Sequence, residues 1–153
     1  MVAIPRTQGW DRDIRDGIRN EPWNLSGPNR PIKVRPRSAP QVRGASGYFT
    51  LGKFLVGRTP AQIEADLGLK RALLTEGAFI WRFSRPPRIS EYEYELTAAF
   101  PGGLSFNPGH SDPDYGPGRG FIHQWSLKPG VNIPVRPRPI ELLPGERLFH
   151  GDL

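Results

Sequence analysis

The sequence predicts an α+β domain, small and sheet-rich, with few short helices and long ordered loops. Three observations lead to that class. Glycine and proline each occur 18 times in 153 residues, together nearly a quarter of the chain, too much for a helical bundle. The 4 Trp, 8 Phe and 4 Tyr still supply one core. Apolar residues recur mainly with the period of two that belongs to strands, and one segment carries the start and stop signals of a helix.

In chain order, residues 1–41 read as a lead-in or linker and residues 42–153 as one compact domain. Ile14 and Ile18 form an i, i+4 apolar pair, but Gly17 weakens any helix there. Residues 28–40 carry a proline every few positions among basic and amide side chains, the pattern of extended, polyproline-like chain. Residues 42–47 are a turn cluster around Arg43. Residues 48–56 read as a strand bent at Gly52. A helix starts next. Thr59 can cap it, Pro60 suits its first position and Gln62 completes a capping box. Ile63 and Leu67 form its buried stripe and Gly68 ends it. A short turn over residues 69–74 follows.

Two strands come after this. Residues 78–83 put Phe79, Trp81 and Phe83 on one face. Residues 91–99 put Tyr92, Tyr94, Leu96 and Ala98 inward and Glu91, Glu93, Glu95 and Thr97 outward. Residues 101–103 are a turn, and residues 104–120 a long loop of the kind that is usually functional. Its end, residues 115–120, holds three glycines and a proline, so backbone there can approach a ligand closely. It feeds a strand at residues 121–127. Phe121, His123, Trp125 and Leu127 share one face of that strand, and Gln124 stands on the other. Residues 131–135 suit an edge pairing and residues 140–148 close the domain.

Totals narrow the chemistry. A net charge of +6 favours anionic partners, whether nucleic acid, phosphates or an acidic protein. The absence of cysteine excludes disulfides, thiolate catalysis and thiolate-bound zinc. No metal is expected. No apolar run reaches the length of a membrane span, and the N-terminal residues lack the apolar core of a secretory signal.

Several pieces, taken in order, resemble the tuberculosis necrotizing toxin family of NAD⁺ glycohydrolases, cargo domains at the C-termini of secreted bacterial and fungal proteins. The pieces are Arg43-Gly44-Ala45-Ser46-Gly47-Tyr48-Phe49, then Gly57-Arg58-Thr59-Pro60 with Arg71-Ala72-Leu73, then Tyr92-Glu93-Tyr94-Glu95-Leu96. The last are Pro117-Gly118-Arg119-Gly120 and Gln124-Trp125. Arg58 interrupts the Gly-Thr-Pro of the family pattern, and two extra residues separate Gly120 from Gln124. The resemblance implies a split β-sheet of the ADP-ribosyltransferase type, with NAD⁺ as substrate in a cleft between two half-sheets. It implies Gln124 as the catalytic amide. Arg43 and Arg71 would hold the phosphates, since a guanidinium fork matches their oxygens. Tyr48, Phe49 and Trp125 would stack on a ring, and Gly118 and Gly120 would let the loop approach. It also implies a cognate immunity protein, a larger delivery protein, and delivery into a target cell by a specialised route.

Two other readings of the residues stand beside it. His110, His123 and His150 with neighbouring cations would suit a ribonuclease toxin. The proline-arginine segments would suit a basic nucleic-acid-binding module. Asp112 and Asp114 beside His110 are metal-like types, but their loop is more simply turn chemistry.

Overall fold

The computed structural model describes residues 27, 29–39, 42–95, 99–100, 104–105 and 124–153. Their class is α+β. Six strands form one sheet in the order β10-β4-β1-β3-β8-β5. They are β1 (Pro31–Pro36), β3 (Tyr48–Leu51), β4 (Ala78–Arg82), β5 (Tyr92–Glu95), β8 (Gln124–Leu127) and β10 (Ile140–Leu142). Every pairing is antiparallel. Two short ladders accompany the sheet. One joins β2 (Gly44–Ala45) to β9 (Ile133–Pro134), the other β6 (Ala99–Phe100) to β7 (Leu104–Ser105).

Strand β1 corrects the sequence reading. Residues 31–36 are not linker but an interior strand, paired to β4 over five residues and to β3 over two. The prolines stand at its two ends, where a missing N–H costs the ladder least. Between them Ile32-Lys33-Val34-Arg35 alternates as a strand should. The compact unit therefore takes in β1, which lay on the linker side of the expected boundary. The strand beginning at Tyr48 ends at Leu51, and residues 52–54 form a 3₁₀ turn.

Register sorts the sheet's two faces. Opposed residues of an antiparallel pair point the same way, so Ile32, Val34, Thr50, Ala78, Ile80, Arg82, Gln124, Ile140 and Leu142 share one face. Helix α1 (Pro60–Leu67) covers it, with Ile63 and Leu67 buried in the cluster around Ile32 and Ile80. Phe49, Leu51, Phe83, Trp125 and Leu127 face the other way and pack under the β2–β9 ladder, through Ala45 and Ile133. The expected face of Phe79, Trp81 and Phe83 is present, with Phe83 bridged to Val135.

The helix follows its sequence signals. Thr59 Oγ1 accepts from the Gln62 N–H at 3.3 Å, and Gln62 Oε1 accepts from the Thr59 N–H at 3.0 Å. Pro60 occupies the first turn, and Gly68 at φ 67° closes the helix in the left-handed conformation a glycine tolerates. At the other edge, Arg85 grips Glu91 with two bonds of 2.7 and 2.9 Å just before β5. Those bonds, with the Arg88 N–H, hold the Glu91 carboxyl down to about 2.

The sheet has a narrow waist. Strands β1 and β3 share only two residue pairs, Pro31 with Leu51 and Ile32 with Thr50. Beyond them the halves β10-β4-β1 and β3-β8-β5 part. No helix among the described residues is long and apolar enough to cross a membrane.

Candidate functional site

Gln124 opens β8 and is 4% exposed. It lies on the helix-covered face, and its Nε2 donates to the Leu67 carbonyl at 3.0 Å. The last carbonyls of a helix lack intrahelical donors, and a buried one needs a partner. Because that carbonyl can only accept, the amide must turn its nitrogen toward it. The bond thus fixes which way the Gln124 carbonyl oxygen points, and leaves that oxygen as the acceptor end of the group.

The chain leaving α1 runs straight from this bond to Arg71. Residues 69–77 form a tight turn that Glu64 clips from below, its carboxylate accepting from the N–H of Ala72 at 3.1 Å and of Leu74 at 2.8 Å. Ala72 sits at φ 63°. Arg71 is exposed on this turn. Arg71 thus follows, along the chain, the carbonyl that Gln124 holds.

Arg43 is not brought there. It is exposed just before β2, in the ladder that packs on the opposite face. Phe49 and Trp125 are core residues, 2% and 1% exposed. They stack on each other at 5.8 Å, and Phe83 and Phe54 take up further ring surface. Tyr48 is half-buried beside the waist. Gly118 and Gly120 lie outside the described residues, as do His110, His123, Asp112 and Asp114. His150 is exposed, its ring 4.6 Å from that of Phe149.

Sequence reasoning missed Lys33. It stands on β1 where the half-sheets separate, and its Nζ donates to the Tyr48 carbonyl at 2.8 Å. That carbonyl belongs to the part of β3 that β1 no longer pairs. Burial first, then Arg35, pushes the amine down to about 8. The only signal in the sequence was a lysine inside an alternating apolar pattern, which the flanking prolines disguised.

A surface hollow of about 620 Å³ lies at the start of α1, lined among others by Arg58, Gln62, Asp66 and Arg147. It holds none of the residues expected to bind or act on substrate. Its guanidiniums are already engaged, Arg58 with Asp66 at 2.7 Å and Arg147 with the Gly57 carbonyl at 2.7 Å. Among the described residues no cluster of three or more His, Asp or Glu could hold a metal.

No family model, no curated protein and no solved structure matches the chain.

Proposed function

We propose that this domain cleaves the bond between nicotinamide and ribose in NAD⁺, by hydrolysis or by ADP-ribosyl transfer, as a toxin-type effector. One observation carries the reading. Three segments that resemble NAD⁺ glycohydrolases are far apart in the chain, yet they become neighbours as β3, β8 and β5. In that ladder Phe49 and Tyr94 are both opposite Trp125, and Glu95 is opposite Gln124. The two-pair waist beside this half-sheet supports a split sheet of the ADP-ribosyltransferase type, with the dinucleotide lying where the halves part.

In the hydrolytic form, water adds to the ribose C1′ as the bond from C1′ to the nicotinamide nitrogen breaks. The bonding electron pair leaves with neutral nicotinamide, and one proton passes to solvent. Positive charge gathers on the ribose in the transition state. A fixed neutral acceptor orients the ribose hydroxyls or the water there without a proton of its own to lose. Gln124, its amide nitrogen tied to Leu67, is suited to that part. Arg71, in the turn that follows the carbonyl Gln124 holds, takes a phosphate. The aromatic left for ring contact is the half-buried Tyr48, since Phe49 and Trp125 are spent on the core. A basic domain of this kind pairs with an acidic inhibitor in the cell that makes it.

The test is incubation of the purified chain with NAD⁺, read by nicotinamide release. The wild type should release nicotinamide. Gln124→Ala should lose roughly a hundredfold or more of the rate at a temperature where circular dichroism shows it folded. Arg71→Gln, on an exposed turn, should raise KM and leave kcat nearly unchanged. Intact NAD⁺ with the wild type, or full activity in Gln124→Ala, overturns the reading.

A further inference from the structure

Arg30 is 2% exposed, and its Nε is buried with no hydrogen-bond partner. It lies two residues before Ile32 on β1, so it shares the face of Ile32 and of the residue opposite it, Arg82. Arg82 is itself opposed on its other side. Phe83 bridges Val135 and the Arg136 N–H donates to the Arg82 carbonyl at 2.9 Å, which puts Arg136 across from Arg82. Three guanidiniums thus converge at one corner of the sheet.

Among the described residues, side-chain hydrogen bonds to protein acceptors are seen for Arg82 alone, and in part. Arg82 donates through Nη1 to the Asp152 carbonyl at 3.0 Å and through Nη2 to the Arg138 carbonyl at 2.8 Å. Its Nε, like that of Arg30, is buried without a partner. Among the described residues, no carboxylate forms an ion pair with Arg30, Arg82 or Arg136. Among the described residues, the Asp152 charge is felt at Arg82, and its recorded bond there is through the backbone carbonyl. Burial, then Arg136 and Arg82, pulls Arg30 well below the ordinary arginine range. Like charges set directly opposite each other on a sheet repel, and a buried cation without a counterion is among the costliest arrangements a fold can hold.

We propose that this corner is a binding site for a phosphate-class oxyanion, held by Arg30, Arg82 and Arg136. Phosphate fits better than a carboxylate. It carries up to two charges against three cations, and its four oxygens accept from guanidiniums arriving from different strands. Arg30 supplies the buried donor, Arg82 the second, and the exposed Arg136 closes over the anion as it enters. The site is separate from Gln124, with β1 and β3 between Arg82 and β8, so it does not depend on NAD⁺ cleavage.

The full chain should be titrated with inorganic phosphate and followed by ³¹P line broadening and by thermal melting, with chloride at matched ionic strength as the blank. Phosphate should raise the melting temperature in a saturable way and chloride should not. Arg136→Gln is on the surface and should fold normally, while weakening phosphate binding roughly tenfold or more. Arg30→Met removes the buried charge. It should melt no lower than wild type without phosphate and show no response to it. If Arg30→Met does not fold, Arg136→Gln alone decides. Adenosine monophosphate forms a second arm. Competition with inorganic phosphate would identify a phosphoryl group as the natural occupant, and failure to compete would identify the free ion. No saturable response in the wild type, or an unchanged response in Arg136→Gln, overturns the proposal. Retention on RNA without phosphate binding overturns it equally.

Discussion

At the scale of single residues, Lys33 shows how a position can be read twice. Its amine seals a strand carbonyl left open where two half-sheets separate, and being largely enclosed it holds its proton weakly, at about 8. The unfolded chain holds it at the usual lysine value near 10.4. Between those two values the unfolded state binds more protons, so stability rises with pH through that window. Below about pH 8 both states are protonated and the cost of burying the charge is felt in full. The urea midpoint of the wild type should therefore climb between pH 8 and pH 10 relative to Lys33→Met. Parallel pH profiles for the two proteins would show that the amine titrates as it does in water. Gln124 carries a related lesson. Its identity was visible in the alternation of residues 121–127, but its burial was not, because the cause is a helix-end carbonyl 57 positions away.

Among elements, α1 was the most legible. Thr59, Pro60, Gln62 and Gly68 are local instructions, and each acts within a turn of its own position. Strand β1 was the least. Prolines at 31 and 36 read as linker because their composition matched a polyproline segment, while the alternation between them spanned only four residues. What made it a strand was the presence of β4 along five of its residues, a tertiary fact. The turn after α1 is a third case. Arg71-Ala72-Leu73 stood out by motif, yet nothing in it announced that Ala72 takes a positive φ. That conformation costs an L-residue roughly 1–2 kcal/mol, against roughly 0.5–1 kcal/mol for the freedom a glycine loses. Ala72→Gly should thus stabilise the protein by about 0.5–1 kcal/mol in urea denaturation. A loss of stability would show that the Cβ makes contacts worth more than the strain.

For the molecule as a whole, the α+β class followed from composition and periodicity, whereas strand order did not. Each half-sheet takes its strands from distant stretches, residues 31–36, 78–82 and 140–142 in one and 48–51, 92–95 and 124–127 in the other. Nothing local in the sequence encodes those neighbours, since pairing depends on closing loops of tens of residues. That Arg43 would sit beside a ladder on the face opposite Gln124 was likewise invisible in a linear motif. A protein built from such long-range pairings folds slowly for its size. It should also be intolerant of truncation. Removal of residues 140–153 takes away β10, which lines β4, together with Leu148, buried at 1% exposure in the main core. That shortened chain should lose cooperative unfolding in urea, and a sharp transition would show that β10 is dispensable.

The placement of β10 has a consequence during synthesis. Ile140, Leu142 and Leu148 complete the hydrophobic wall around Ile32 and Ile80, yet a ribosome makes them after every other strand. Until they clear the exit tunnel, β4 keeps a bare edge and the core stays open to water. The sheet and its core therefore stay incomplete until residues 140–148 have been made.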